Sequence, residues 1–244
     1  MSSATTSKKK YVKKTGKTFR KGGYKKPGFA LMRRQTNAFS VRGGYLADSQ
    51  LATFEYFASA TSQSILNNSG GPSASREYCG GLYQVDPNLS GPSSIPGRTA
   101  WSGLYSLYRP YALKVVTEFS NMEDFPVAVG QMPINSPQGT NSSAVQYWFD
   151  NRMSKTRLLS GVGGQDRATI TSYFSYKAMS GDSQVLTEKG WTGPLNITGP
   201  NPTNNIYCEV FVRPVGGNTM SLGVATRTIV TIYCRMFGMI TIGT

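Results

Sequence analysis

Histidine is absent from all 244 residues of the chain, and this absence restricts the chemistry that the protein can perform. Because histidine is the commonest general base and metal ligand, no Ser-His-Asp or Cys-His catalytic arrangement can form within this chain. A GxxxxGK(S/T) phosphate-binding loop is also missing: the nearest glycine-rich segment, GPSSIPGRT at 91–99, has the wrong spacing and an arginine instead of the lysine. We therefore expect no enzymatic activity and no cofactor.

Cysteine is scarce, and the three that occur, Cys79, Cys208 and Cys234, form no CxxC pair. Without a histidine they cannot complete a mixed zinc site. Cys208 and Cys234 lie in apolar, strand-like segments, where cysteine behaves as a small hydrophobic residue. We expect all three to be buried free thiols.

Acidic residues are few, and their local cluster is Glu118, Glu123 and Asp124 near the end of a predicted strand. Two carboxylates could bind a divalent cation, as a metal-dependent nuclease requires. Acidic residues at strand ends are far more often solvated loop residues, so we expect no metal site here.

Long hydrophobic runs are missing as well. No stretch of eighteen apolar residues occurs, so we expect no transmembrane helix. The N-terminus is polar and lysine-rich with no apolar core behind it, so we also expect no secretory signal.

Up to Arg42 the sequence contains 13 Lys or Arg and no acidic residue. From Gly43 onward 13 basic residues nearly balance 12 acidic ones, so almost all of the formal net charge of +14 lies in the first segment. A cationic tail on a near-neutral domain indicates a polyanionic partner, and its low hydrophobicity predicts disorder. We therefore predict a basic nucleic-acid-binding arm at 1–42 and a folded domain at 43–244.

The arm's predicted function is to neutralise phosphates, which is independent of base sequence and weakens steeply with salt. The candidate residues are Lys8, Lys9, Lys10, Lys13, Lys14, Lys17, Arg20, Lys21, Lys25, Lys26, Arg33, Arg34 and Arg42. Four interleaved aromatic residues, Tyr11, Phe19, Tyr24 and Phe29, could stack on unpaired bases, although chance placement explains four residues equally well. The segment KKKYVKK also resembles a nuclear import signal, which would make host import factors partners.

Beyond the arm the sequence alternates between apolar and polar residues with period two, which predicts strands. We predict them at 50–60, 108–121, 126–133, 167–179, 204–215 and 224–239, with possible short strands around 78–85 and a possible helical turn at 145–153. About eight strands, uneven loops and no internal repeat favour a two-sheet sandwich. The residues predicted to face the core are Leu113, Val115 and Phe119; Ile170, Phe174 and Tyr176; Ile206, Cys208, Val210 and Val212; and Val230, Ile232, Cys234 and Met236.

Five segments follow one another in a characteristic order: YRPYALKVVTEFSN, PVAVGQMP, SKTRLLSGVGGQDRATITSYFSYKAMSG, NNIYCEVFVRPVG and TIVTIYCRMFG. In this order they resemble the capsid proteins of small eukaryotic circular single-stranded DNA viruses that encode a replication initiator protein. The resemblance covers nearly the full chain and depends on pattern more than on strict motifs. The arm departs from circoviruses proper, because it favours lysine where their arms are rich in arginine.

This resemblance implies an eight-stranded jelly-roll β-sandwich and a closed icosahedral shell of about sixty copies with the arms directed inward. Sixty arms would carry about 780 positive charges, enough to neutralise much of a small genome. It further implies a circular single-stranded DNA genome as the partner, a location in the virion, and assembly in the host nucleus.

Two other classes of protein share the basic arm. A cellular nucleic-acid-binding β-domain with a basic extension is one, but it should also carry basic residues on its folded domain. The coat protein of a small satellite RNA virus is the other, since such proteins also combine a jelly roll with a basic arm. The choice of DNA over RNA therefore depends on the resemblance alone.

Overall fold

The computed structural model describes residues 48–58, 65–67, 74–89, 95–135, 151–180, 189–196 and 199–240. All thirteen candidate residues of the arm lie outside these ranges, as does most of the possible helical turn at 145–153. The disorder and the boundary of the arm therefore stay predictions. No helix within the described ranges has the length and hydropathy needed to cross a bilayer.

Ten β-strands and two short α-helices make up the regular structure of the described residues. The strands are β1 Ser49–Ala58, β2 Ile65–Leu66, β3 Ala74–Cys79, β4 Tyr105–Asn121, β5 Val127–Ile134, β6 Lys155–Leu159, β7 Arg167–Ser175, β8 Gly193–Pro194, β9 Tyr207–Pro214 and β10 Val224–Met239. The helices are α1 Arg98–Ser102 and α2 Tyr176–Ser180, and single 3-10 turns occupy Lys189–Trp191 and Val215–Gly217.

The strands form two antiparallel sheets. One has the order β1-β10-β4-β7, with β2 added to β10 and β8 added to β4, and the other has the order β3-β9-β5-β6. If the two-residue strands β2 and β8 are set aside, eight strands divide equally between the sheets in jelly-roll order. The predicted all-β, eight-stranded jelly-roll sandwich is confirmed.

The core lies between the two sheets and contains the predicted inward faces. Every residue of the four predicted apolar sets is buried. On β4, for example, Leu113 and Val115 are fully buried, whereas Glu118 points to the other face and is exposed. Successive side chains of a strand point to opposite faces, so a correct alternation fixes which residues reach the core.

A buried polar network connects the two sheets within this core. Gln131 of β5 donates a hydrogen bond from Nε2 to Ser172 Oγ of β7 at 2.8 Å and accepts one from Thr117 Oγ1 of β4 at 3.2 Å. Thr117 Oγ1 also lies 3.2 Å from Thr228 Oγ1 of β10. Because unsatisfied buried polar groups are costly, this network favours one alignment of the sheets over others.

The second sheet buries residues on both of its faces. Met132, Ile134 and Phe211 form an apolar cluster separate from the main core, and all three are buried. A Cβ atom on Gly130 would lie 2.6 Å from the Phe211 ring, so the close approach of that ring requires a glycine.

Three strands, β3, β7 and β6, show the main differences from the prediction. β3 begins at Ala74 and ends at Cys79, so the predicted strand at 78–85 is mostly a turn. β7 ends at Ser175, and Tyr176 begins α2 with its side chain still buried. β6 was not predicted, because it pairs only with β5 and exposes Lys155 to Leu158, which removes the alternation that identifies a strand.

Candidate functional site

The predicted acidic cluster does not form a common site. Glu118 is exposed on β4, where its Oε2 lies 3.7 Å from Arg227 Nη1. Glu123 is buried, and its Oε1 accepts hydrogen bonds at 2.7 Å from the backbone amides of Leu222 and Gly223. Asp124 is exposed. The described residues contain no group of three or more residues able to hold a metal ion.

Glu123 instead joins loops at one end of the sandwich. Its backbone oxygen accepts a hydrogen bond from Val162 in the β6–β7 loop, while its carboxylate holds the β9–β10 loop. Val162 and Leu222 in these loops expose 65% and 59% of their surface. The structure therefore places two apolar side chains at the tip of loops that are themselves held in place.

The glycine-rich segment near 91–99 has a structural role in its described part. Gly97 has φ 86°, a left-handed conformation that favours glycine. Arg98 is 2% exposed, and its Nη2 donates to the backbone oxygens of Asn196 and Gly199. This arginine therefore holds the chain that follows β8 against α1.

The three thiols are free and buried, as predicted. Burial raises the pKa of Cys79 to about 12 even though its Sγ accepts hydrogen bonds from Asn205 Nδ2 at 2.9 Å and Asn201 Nδ2 at 3.2 Å. Burial likewise raises the pKa values of Cys208 and Cys234 well above the ordinary range. A raised thiol pKa disfavours the reactive thiolate, so these cysteines pack rather than react.

A site that sequence reasoning missed lies on the solvent face of the six-stranded sheet. Arg109 of β4 and Arg235 of β10 are direct cross-strand partners on that face. Arg109 donates from Nε and Nη2 to Thr192 Oγ1 at 3.1 and 2.8 Å, and Arg235 donates in the same way to Ser49 Oγ at 3.1 and 2.8 Å. Both guanidinium groups are thus held by hydroxyl oxygens of neighbouring segments.

The positive charges of Arg109 and Arg235 are close enough to affect the pKa of Arg109. Partial burial, and then the charge of Arg235, lower the pKa of Arg109. Like charges directly opposite each other on neighbouring strands destabilise a sheet. The pair therefore costs the fold some stability, which an anion bound beside the two arginines would offset.

Aromatic rings surround the arginine pair. The Tyr233 ring lies 6.1 Å from that of Tyr111 and 6.0 Å from that of Tyr173, and the Arg109 guanidinium lies 5.4 Å from the Phe237 ring centre. Tyr173 exposes 58% of its surface. We call this set, Arg109, Tyr111, Tyr173, Tyr233, Arg235 and Phe237, the arginine–tyrosine patch.

A bulge shapes the patch. Tyr233 pairs with Ala112 and Cys234 with Pro110, so Tyr111 has no partner in the ladder between β4 and β10. Bulges re-aim side chains and tolerate proline, which cannot donate to the ladder. A pocket of about 560 Å³ opens here, lined by Ser49, Leu51, Arg109, Tyr111, Arg235 and Phe237.

The strand pattern of the sequence indicates part of this patch, but it does not show that the patch residues lie together. Tyr233 and Arg235 occupy outward positions of the predicted strand at 224–239. On the predicted strand at 108–121, however, period two places Arg109 and Tyr111 on the same face as Leu113 and Val115, and it is the bulge that changes this phase. The separation of 126 residues between the arginines hides their proximity, which only the register of β4 against β10 establishes.

Comparisons with known proteins give similarity at the level of solved structures only. No protein-family model and no curated protein matches the chain. The chain is similar to a structure of Mud crab tombus-like virus, with 12% identity, a TM-score of 0.46, and coverage of 82% of this chain and 95% of the other. It is also similar to the semi-empty VLP of the giant freshwater prawn Macrobrachium rosenbergii nodavirus, with 7% identity, a TM-score of 0.46, and coverage of 80% and 87%.

A third similar structure is that of Desmodium yellow mottle tymovirus, with 9% identity, a TM-score of 0.41, and coverage of 82% of this chain and 94% of the other. At these identities and with TM-scores below 0.5, the three similarities carry no functional argument. Function must be argued from the chain's own residues.

Proposed function

We propose that this chain is a structural capsid protein that assembles into a closed icosahedral shell and packages single-stranded nucleic acid through its basic arm at 1–42. The proposal includes DNA as the packaged nucleic acid, about sixty copies per shell, and the virion as the protein's location. The shell would be built from the jelly-roll domain, and the thirteen arm cations would neutralise genome phosphates.

The observation that carries the proposal is the combination of fold and charge distribution. Jelly rolls serve as viral coat domains, lectin domains and cupins. This chain joins an arm with 13 cations and no acidic residue to a near-neutral domain. Neither sugar binding by a lectin nor metal binding by a cupin requires such an arm. Packaging of a polyanion inside a shell requires both parts.

Exposed apolar residues on loops that are fixed by hydrogen bonds support the proposal that the chain assembles into a shell. Val162 and Leu222 lie on loops fixed by Glu123, and Val215 between β9 and β10 is 45% exposed. Interfaces between subunits bury apolar side chains at their centres. The proposal assigns these loop residues to contacts between neighbouring copies.

The first test is negative-stain electron microscopy of the purified full-length protein, with its absorbance ratio at 260 and 280 nm. The variant changes the nine lysines of the arm (Lys8, Lys9, Lys10, Lys13, Lys14, Lys17, Lys21, Lys25 and Lys26) to glutamine, and the matched control changes the same nine to arginine. We expect wild type and control to form uniform spheres rich in nucleic acid. The glutamine variant should lose most of the packaged nucleic acid, because the lost charges are those that bind phosphates.

Each part of the proposal can fail separately in this experiment. A wild-type protein that stays a monomer would contradict the capsid role and favour the cellular nucleic-acid-binding module. Unchanged nucleic acid in the glutamine variant would contradict the role of the arm. The segment KKKYVKK supports assembly in the nucleus, and expression of wild type, the glutamine variant and the arginine control in host cells tests it. We expect the glutamine variant to lose nuclear accumulation and the arginine control to keep it.

The preference for DNA is tested by assembly in vitro. Disassembled wild-type protein is mixed with single-stranded DNA or with single-stranded RNA of equal length and sequence, and the yield of particles is measured by sedimentation. We expect a higher yield with DNA. Equal yields, or a higher yield with RNA, would replace this part of the proposal with the satellite RNA virus alternative.

A further inference from the structure

The arginine–tyrosine patch combines groups that recognise two different parts of one kind of ligand. Its two arginines are cross-strand partners that line one pocket, and Arg is suited to contacts with phosphate oxygens. Its four aromatic rings lie beside the pair on the same face. Aromatic side chains on a sheet are the platform on which unpaired bases stack.

We propose that the arginine–tyrosine patch is a second binding site for single-stranded nucleic acid, in which Arg109 and Arg235 hold a backbone phosphate and the neighbouring rings stack on bases. This inference rests on the proposed function, which brings single-stranded nucleic acid to this protein. It assigns to the folded domain a contact that the arm alone would not provide.

The charge of the sheet face favours a nucleic acid over a second copy of the chain. The outward cations of this sheet are Arg109, Lys114, Arg167, Arg227 and Arg235, and its outward acids are Glu55 and Glu118. Glu118 already lies beside Arg227 at the far end of the face. Two such faces would repel each other, whereas a phosphodiester chain would be attracted.

The shape of the patch favours a nucleotide over inorganic phosphate. The pocket beside the arginine pair, at about 560 Å³, is larger than one phosphate requires and is lined by Leu51, Tyr111 and Phe237 as well as by the arginines. Leu51 exposes 64% of its surface, so the apolar wall is open to a ligand. A base or sugar would cover this wall, which a free phosphate would leave in water.

A geometric consequence follows for the assembled shell. If the patch binds packaged nucleic acid, the solvent face of the six-stranded sheet points into the shell, toward the genome. The loops that carry Val162 and Leu222 are then free to contact neighbouring copies.

The test is ultraviolet crosslinking of the full-length protein to a single-stranded oligothymidylate, followed by mass spectrometry of the crosslinked peptides. We expect crosslinks to Tyr111, Tyr173 or Tyr233 in addition to crosslinks in the arm. Arg235→Gln should reduce the patch crosslinks at least about fivefold, because the phosphate contact that holds the strand is weakened. An excess of inorganic phosphate at constant ionic strength should leave them largely in place.

Two variants keep the result interpretable. Arg235 and Tyr173 are both exposed, so Arg235→Gln and Tyr173→Leu should fold, which a thermal melt checks. The matched control is Arg157→Gln, which removes one exposed cation from β6 in the other sheet and should leave the patch crosslinks unchanged.

The outcomes separate this inference from the proposed function. Crosslinks confined to the arm would overturn the patch and leave the arm's role intact. Patch crosslinks that persist in Arg235→Gln, fall equally in the control, or disappear with inorganic phosphate would overturn the assigned mode of binding. No crosslink to either region would overturn both.

Discussion

Asp86→Ala is expected to destabilise the folded domain by about 3–5 kcal/mol, because it leaves a buried arginine without its counter-charge. Arg76 of β3 and Asp86 form an ion pair whose side chains expose 7% and 0% of their surfaces. Arg76 Nε donates to Asp86 Oδ2 at 3.1 Å, and Asn88 donates from its backbone amide to Asp86 Oδ1 at 3.2 Å. The measurement is urea unfolding of disassembled protein, followed by tryptophan fluorescence.

The matched control is Glu118→Ala, which breaks the exposed pair with Arg227 and should cost at most about 1 kcal/mol. The double variant Arg76→Met and Asp86→Leu should recover much of the lost stability, since replacing a buried pair by apolar side chains removes both charges together. A cost of Asp86→Ala as small as that of Glu118→Ala would show that the buried pair does not hold β3.

Glu209→Gln should flatten the dependence of stability on pH and stabilise the protein in alkaline solution. Glu209 lies on β9 directly opposite Glu77 of β3, and it is fully buried. Neither of its carboxylate oxygens has a hydrogen bond of good geometry within the described part of the chain, and the nearby Ser75 opposes the pKa rise only in part. Burial, with a further contribution from the charge of Glu77, raises the pKa of Glu209 from 4.5 to about 8.

The direction of the effect follows from proton binding. Between pH 4.5 and about 8 the folded protein keeps a proton on Glu209 that the unfolded chain releases, so the free energy of unfolding falls as pH rises through this window. Above that window the charged carboxylate is buried at full cost. Wild type should therefore match Glu209→Gln near pH 5 and be less stable by on the order of 3 kcal/mol at pH 9.

Urea unfolding at pH 5 and pH 9 measures this difference, and Glu118→Gln is the control, because it makes the same chemical change at an exposed position. Glu118→Gln should leave the difference between the two pH values nearly unchanged. If wild type and Glu209→Gln lose stability in parallel between pH 5 and pH 9, Glu209 is not the buried acid that the structure indicates.

Period-two alternation in the sequence predicts the fold class and the buried face of most strands, because it indicates which side chains must avoid water. Leu113, Val115, Val230 and Ile232 are buried as that pattern requires. The alternation failed at β6, which is an edge strand with little apolar surface to bury. The charge of the arm is likewise a property of the sequence, and it leads to the proposed packaging role without any structure.

The contacts between distant segments follow from the tertiary structure, since they depend on strand register and on which segments cover each face of a sheet. Glu209 alternates with Cys208 and Val210 as an ordinary outward residue would, yet the domain buries its carboxylate. Arg109 and Arg235 become neighbours only because β4 pairs with β10, and the bulge at Tyr111 turns their surroundings into a patch. Local pattern specifies the face of each residue, whereas strand pairing specifies its neighbours across the sheet.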